Sequence, residues 1–333
     1  MVEDMYFCTY VNMHASLIRQ LNAAGKAGRP FFLFTDFELV KPQLYYVDEL
    51  AEKQITVTFP SFSNMPAKAF SPVAVSVLPG LGMSDYAERF KRVKAGLHYG
   101  NSYLTNLTMA TPVALQGDWM DVFYAAQAKY KIAFQDQWIC FSPEMFIRIR
   151  GTQITTYPMK GTIDADLPNA AELLMHDEKE IAEHYTIVDL LRNDLSKVAH
   201  EVEVLRFRYL ETLHTSSKNL LQCSSEITGE LPADWRAQVG DILFSLLPAG
   251  SVSGAPKQAT CAIINEAEAG PRGYYTGVAF YFDGENLDST VMIRFIERTS
   301  DGIVYRSGGG ITIHSDVEKE YQELLDKIYV PGI

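Results

Sequence analysis

The last third of the chain limits the fold most. YYTGVAFYF is followed by Asp283-Gly284, then STVMIRFIERT, then Asp301-Gly302, then IVYRSGGGIT. Asp-Gly pairs supply the positive φ of a tight turn, and the runs between them are rich in Val, Ile, Phe and Tyr. The pattern predicts an antiparallel meander. FFLFTDF (31–37), ITVTF (55–59), VAVSVL (73–78) and SYLTNLTMATPVAL (102–115) add further β-like runs, and PSFSNMPAKAFSP (60–72) reads as a loop. Helical patterns occur at ASLIRQLNAA (15–24), at SDYAERFKRVKAGLHYG, at DEKEIAEHYTIVDLLRNDL with Ile181, Tyr185, Val188 and Leu191 on one side, and from near Ser315 through EKEYQELLDKIY. The helices do not alternate with strands in a βαβ rhythm. The expected class is therefore α+β, with large, mostly antiparallel sheets and surrounding helices.

At 333 residues the chain has room for about two average domains or one large core. Its net charge of -12 repels phosphate backbones and argues against nucleic acid as a partner. An anionic substrate would need local positive charge from a metal ion, arginines or helix N-termini. The start, MVEDMYF, lacks a basic, apolar leader, and no apolar run approaches the ~18 residues of a membrane span. Cys8, Cys140, Cys223 and Cys261 show no CxxC spacing and read as buried, reduced thiols. A cytoplasmic protein without membrane contact is expected. His98, His176, His184 and His214 have no metal-ligand spacing, so they receive no catalytic role.

TYPMKGT surrounds a single amine, Lys160, with a proline that interrupts ladder pairing and a glycine that lets the backbone bend. The amine is either a solvated charge or a nucleophile. FSPEMFIRIR, Gly151-Thr152-Gln153 and ITTYPMK read as a hairpin. With a three-residue loop Arg150 faces Ile154, and the continued register sets Glu144 opposite Lys160. Glu180 and Glu183 share one helix face, as do Glu320 and Glu323. The two pairs can hold one Mg²⁺, or they can be capping and surface glutamates, with Asp177 and Ser315 as the caps. GSVSGAPK opens onto a helix with Pro256 near its start, which suits an anion or a plain turn. Gly308-Gly309-Gly310 admits close approach of a ligand or marks a bulge. Arg294, alone in VMIRFI, needs an anionic partner, internal or bound.

Taken together, GNSYLTNLT, SPE, PMKGT, DEKEIAEHYTIVDLLRNDL, GSVSGAPK, RGYYTGVAFY, IRF, SGGGITIHSD and EKEYQELLDK resemble the chorismate-utilising enzymes, and most closely their aminodeoxychorismate synthase component I group. The resemblance is dense from about Ser84 to Tyr329 and loose over residues 1–80. It implies an N-terminal part of the fold at 1–80 and a chorismate-binding catalytic region at 81–333, integrated into one domain.

The same resemblance implies that Glu180, Glu183, Glu320 and Glu323 are magnesium ligands. It also implies that Ser253, Tyr275, Arg294, Gly308, Gly310 and Lys327 hold the substrate, with Gly161 and Thr162 along its ring. Anthranilate synthases usually carry alanine where this chain has Lys160, and isochorismate and salicylate synthases activate water with a lysine where this chain has Leu104. The implied reaction is therefore amination of chorismate at C4 to 4-amino-4-deoxychorismate, for 4-aminobenzoate and folate synthesis. Lys160 would be the nucleophile, as a free amine depressed by burial and magnesium, and Glu144 the acid. Two positions depart from the pattern: Gln222 stands where relatives have histidine, and Val317 where they have proline. No cysteine sits in a glutaminase motif, so ammonia is expected from a separate glutamine amidotransferase subunit. Anthranilate synthase, a Schiff-base lyase and a non-catalytic binding module are the rival readings.

Overall fold

A computed structural model describes residues 2–79, 82–214, 219–268 and 270–332. In chain order the strands are β1 Phe31–Thr35, β2 Gln43–Tyr46, β3 Ile55–Phe59, β4 Phe62–Ser63, β5 Ala74–Val77, β6 Leu104–Gln116, β7 Tyr130–Phe134, β8 Trp138–Ser142, β9 Met145–Arg150, β10 Gln153–Thr156, β11 Met159–Asp164, β12 His200–His214, β13 Asn219–Glu230, β14 Gly254–Ala255, β15 Val278–Phe282, β16 Leu287–Val291, β17 Phe295–Thr299 and β18 Gly302–Ile311. The α-helices are α1 Val2–Lys26, α2 Met83–His98, α3 Trp119–Ala125, α4 Ala170–His176, α5 Glu178–Leu195, α6 Val239–Leu246, α7 Lys257–Glu268 and α8 Val317–Asp326.

The strands form two antiparallel sheets. The first runs β11-β13-β10-β9-β16-β15-β1-β2 with β12 beside β13, and the second runs β14-β6-β18-β17-β8-β7-β3-β4 with β5 beside β6. β1 shows why both faces of the first sheet are apolar. Phe31 and Leu33 point to a core shared with α1, α5 and α6, while Phe32 and Phe34 point to a core shared with Ile55, Val57, Tyr130 and Phe295 of the second sheet. Alternate side chains of one strand thus serve two layers. On the outer face of the second sheet, Leu107, Met109 and Ile311 pack against Tyr86, Phe90 and Val93 of α2 and Leu324 of α8. The α+β class follows, and residues before position 80 supply strands to both sheets.

Several elements depart from the sequence reading. The hairpin loop has two residues rather than three: Gln153 pairs with Arg150, and Gly151 takes φ +61°. A two-residue loop with positive φ matches strand twist better, and it shifts the register by one. Pairing between these strands is described only as far as Thr155 with Arg148, and after Pro158 the chain joins β13 instead of β9. Glu144 and Lys160 are therefore not cross-strand neighbours. STVMIRFIERT is not one strand. It breaks at Met292–Arg294, where Arg294 adopts φ +54° and the chain crosses between sheets, so the expected meander is two hairpins in two sheets.

On α5 the buried face runs through Glu183, Ile187, Leu190, Leu191 and Asp194, while Tyr185 is 58% exposed and Ile181 half-buried. α8 is capped by Asp316, whose carboxylate accepts from the Lys319 N–H, rather than by Ser315. The helix expected at 15–24 extends over Val2–Lys26, and the 60–72 loop contains the short β4. Cys140 and Cys223 are buried, Cys261 is half-buried, and all three are free; the Cys8 and His214 side chains lie outside the described residues. No helix among the described residues is long and apolar enough to cross a membrane.

Candidate active site

TYPMKGT ends in a β-bulge. β11 pairs Met159 with Ser224 and Thr162 with Gln222, one residue out of step, and Gly161 at φ +79° absorbs the extra residue. A Cβ on Gly161 would lie 2.8 Å from Leu174 Cδ1 and 3.1 Å from Glu180 Oε2, so only glycine lets this backbone approach the acidic helix. Bulges re-aim side chains. Here the Lys160 ammonium donates to Glu183 Oε2 at 3.2 Å.

Four elements converge on that contact. The Asp177 carboxylate caps α5 by accepting from the Glu180 N–H at 2.9 Å, and Glu180 and Glu183 follow one turn apart. α8 supplies Glu320, Glu323 and, at its end, Lys327, which donates to Glu323 Oε1 at 2.6 Å and to the Gly308 carbonyl at 3.0 Å. β18 lays its glycines beneath. A Cβ on Gly309 would meet Glu323 Oε1 at 3.4 Å and Glu320 Oε2 at 3.5 Å. One on Gly310 would meet Leu104 Cδ1 at 3.0 Å, Lys160 Nζ at 3.1 Å and Glu183 Oε2 at 3.8 Å. Glu183, Glu320, Glu323, Lys160 and Lys327 thus stand around the β18 glycines, with Glu180 against Gly161 of β11.

Lysines partly neutralise the carboxylates. Lys160 and Lys179 serve Glu183, Lys179 serves Glu320 at 2.9 Å, and Lys327 serves Glu323. As they stand, no three acidic, imidazole or thiol groups among the described residues are gathered tightly enough to hold a metal ion. The donor chemistry nevertheless fits a hard cation. Among the described residues, Glu183 Oε1 and Glu320 Oε2 are buried oxygens without a hydrogen-bond donor, from two helices that meet the glycines of β18.

Burial raises the Glu180 pKa, and Glu183 adds to the effect. Burial also pushes Glu323 upward, but Lys327, Lys179 and Lys160 together outweigh it and leave the group below the usual range. For Lys160, burial opposes the charge, yet Glu183, then Glu180 and Glu323, outweigh it and raise the pKa. These residues by themselves favour the ammonium form of Lys160; the free amine is expected from burial together with magnesium.

Glu144 lies between β8 and β9. Burial raises its pKa, with the Ser251 hydroxyl, Lys160, Arg294 and Lys327 acting in the opposite sense. Ser251 donates to Glu144 Oε1 at 2.5 Å, and the Glu144 main-chain carbonyl accepts from Thr290 Oγ1 at 2.6 Å. Glu144 therefore belongs to the same electrostatic cluster as Lys160, although the two are not cross-strand partners. Arg294 has its guanidinium 4.9 Å from the Tyr329 ring centroid, and its buried Nε lacks a hydrogen-bond acceptor among the described residues. Tyr275 is buried, and that burial raises its phenol pKa.

Other expected positions are spent elsewhere. The Ser253 hydroxyl donates to the Ala249 carbonyl at 2.9 Å rather than reaching toward the glutamates, and Thr162 is exposed. Gln222 lies on β13 opposite Thr162, and Val317 is the first residue of α8. Sequence reasoning missed Ser251, two residues from Ser253, and Lys179, which sits inside DEKE. Neither had a motif spacing to mark it.

The comparisons agree with this architecture. The chorismate binding enzyme family matches residues 29–331. An uncharacterized PabA-like protein of Pasteurella multocida is 47% identical over 327 residues, 96% of this chain and 99% of that protein. Aminodeoxychorismate synthase component 1 of Escherichia coli is 33% identical over 261 residues, covering 73% of this chain but 56% of that protein, so the match spans about half of that longer relative. In structure, a putative 2,3-dihydroxybenzoate-specific isochorismate synthase of Bacillus anthracis superposes with a TM-score of 0.72 at 19% identity, over 96% of this chain and 87% of that one. That likeness concerns the fold.

Proposed function

The chain belongs to the chorismate-binding enzymes, and we propose that within this family it aminates chorismate at C4 with ammonia, giving 4-amino-4-deoxychorismate through a covalent Lys160 adduct. The observation that carries this reading is the position of the Lys160 amine beside Gly310 and Leu104, within the glutamate cluster and the field of Glu144. At the position where a lysine activates water in other branches, Leu104 offers no base, and that supports amination over hydration. Lys160 sits where anthranilate synthases usually carry alanine, which supports C4 over C2.

Glu180, Glu183, Glu320 and Glu323 are the residues that would hold magnesium. When bound there it would neutralise the ring carboxylate of the substrate and draw the charge of Glu183 away from Lys160. Lys327, anchored on the Gly308 carbonyl, and Arg294 supply positive charge for the substrate's carboxylates, and Gly310 leaves room beside Lys160. Lys160, once neutral, attacks C2; the C2–N bond forms, the diene shifts and the C4–O bond breaks. Glu144, whose burial favours the protonated form, gives its proton to the departing hydroxyl, which leaves as water. Ammonia then forms the C4–N bond as the C2–N bond breaks, and the amine of Lys160 is restored. The proton shed by the new ammonium group returns to Glu144. The net change is loss of one water and gain of one ammonia, with the enolpyruvyl group intact. We propose a separate glutamine amidotransferase as the source of ammonia.

The test incubates the purified chain with chorismate, Mg²⁺ and excess ammonium at alkaline pH and identifies the product by mass. The expected product keeps the enolpyruvyl group and yields 4-aminobenzoate on addition of a lyase. Anthranilate with free pyruvate would instead assign amination to C2, and isochorismate would assign hydration. Glutamine in place of ammonium should give no product with this chain alone.

A further inference from the structure

The ammonium of Lys179 occupies ground that a cation would need. It lies 2.9 Å from Glu320 Oε1 on α8 and 3.8 Å from Glu183 Oε1 on its own helix, so it bridges the two acidic helices. Both carboxylates are nearly inaccessible, with side chains 2% and 7% exposed, whereas Lys179 is 40% exposed and reaches in from the solvent side. An ordinary intrahelical pair would favour the carboxylate one turn along α5. Here the shorter contact crosses to a residue 141 positions away in sequence. The other lysines are tied to the site: Lys160 issues from the β11 bulge, and Lys327 is anchored on the Gly308 carbonyl as well as on Glu323. Lys179 alone of the three pairs with glutamates of both helices while its stem opens to water.

We propose that Lys179 is a built-in placeholder for the cation: its ammonium closes α5 against α8 in the metal-free protein and swings out to solvent when a divalent ion takes Glu183 and Glu320. Buried carboxylates facing each other without a counter-charge repel strongly, so a removable ammonium holds the two acidic helices together until the ion binds. The cost is competition, because the entering ion must displace an intramolecular rival. This inference rests on the glutamate cluster being the magnesium site.

The test is calorimetric titration of Mg²⁺ into the protein without substrate, paired with thermal melts with and without the ion. Lys179→Met should bind Mg²⁺ at least roughly ten-fold more tightly than wild type, since removing a competing unit charge near a divalent ion exceeds the 1.4 kcal/mol of one decade. Its metal-free melting temperature should fall, and the rise on adding Mg²⁺ should exceed that of wild type. Lys179→Arg, which keeps the charge, should melt like wild type without metal and gain no affinity. If Lys179→Met folds poorly, the arginine variant and Lys179→Gln at graded salt give the same comparison. Equal or weaker Mg²⁺ affinity in Lys179→Met, with wild type binding measurably, overturns the placeholder and leaves the metal site standing. No Mg²⁺ uptake by any form, with or without chorismate, overturns both.

Discussion

Arg272 is the buried cation whose loss should be felt most. It is 1% exposed and spends its guanidinium on Glu268 at 2.6 and 2.8 Å, on the Val252 carbonyl at 2.7 Å and on the Asn106 carbonyl at 2.7 Å. These contacts tie α7 to the loop that carries Ser251 and to β6, the strand of Leu104. Arg272→Met keeps much of the volume but leaves Glu268 as a buried charge whose remaining donor among the described residues is the Thr108 N–H at 2.8 Å. Removing one partner of a buried pair costs about 3–5 kcal/mol. Unfolding entropy near ~2.1 cal/mol/K per residue, over this length, converts that to a melting-temperature drop of about 4–7 °C. The assay is thermal unfolding followed by circular dichroism at fixed pH and salt. The double variant Arg272→Met/Glu268→Leu, which removes both charges, should recover part of the loss. A single variant melting within about 1 °C of wild type would refute the reasoning.

Other predictions follow from the site and the core. Gly308→Ala puts a Cβ 2.5 Å from the Leu107 carbonyl and should fold poorly; Gly310→Ala meets only side-chain ends, should fold, and should lose turnover by about ten-fold or more through displacement of Lys160, which parallel melts and rate measurements would separate. Glu144→Gln should lower turnover by about 10²–10⁴-fold and remove the decline in rate expected of wild type as pH rises through the raised Glu144 pKa. Lys131 is buried on β7, and burial lowers its pKa to about 8. The folded state therefore prefers the neutral amine, so the destabilisation is complete below about pH 8 and absent above the unfolded value near ~10.5. From pH 8 to pH 10 wild type should gain up to about 2 kcal/mol relative to Lys131→Met in denaturant titrations, and a parallel dependence for the two would contradict this.

Much of the fold was legible because its signals are local. The unbroken apolar run FFLFT marks a strand buried on both faces, and the glycine bend at Lys160-Gly161-Thr162 marks a place where the backbone must leave the ladder. The misreadings concern choices made at long range. STVMIRFIERT reads as one β-rich run, and only the need to move between sheets at Arg294 breaks it. The helical wheel of α5 finds an apolar stripe including Tyr185, but the helix turns Glu183 inward toward Lys160, which rotates Tyr185 into solvent. The same holds for chemistry. Acidic pairs three apart can be seen in sequence, whereas the Ser251–Glu144 contact joins residues 107 apart and the Lys179–Glu320 contact joins residues 141 apart. No spacing rule reaches across such loops.

The central claim is that Lys160 bonds to the substrate. Its direct test is intact-mass analysis of the protein quenched after incubation with chorismate and Mg²⁺ but no ammonia, followed by peptide mapping. The account predicts a species heavier by one chorismate less one water, located on Lys160 and absent from Lys160→Ala, that disappears with release of 4-amino-4-deoxychorismate when ammonium is added. An unmodified lysine, together with a Lys160→Ala variant that aminates chorismate at the wild-type rate, would contradict it.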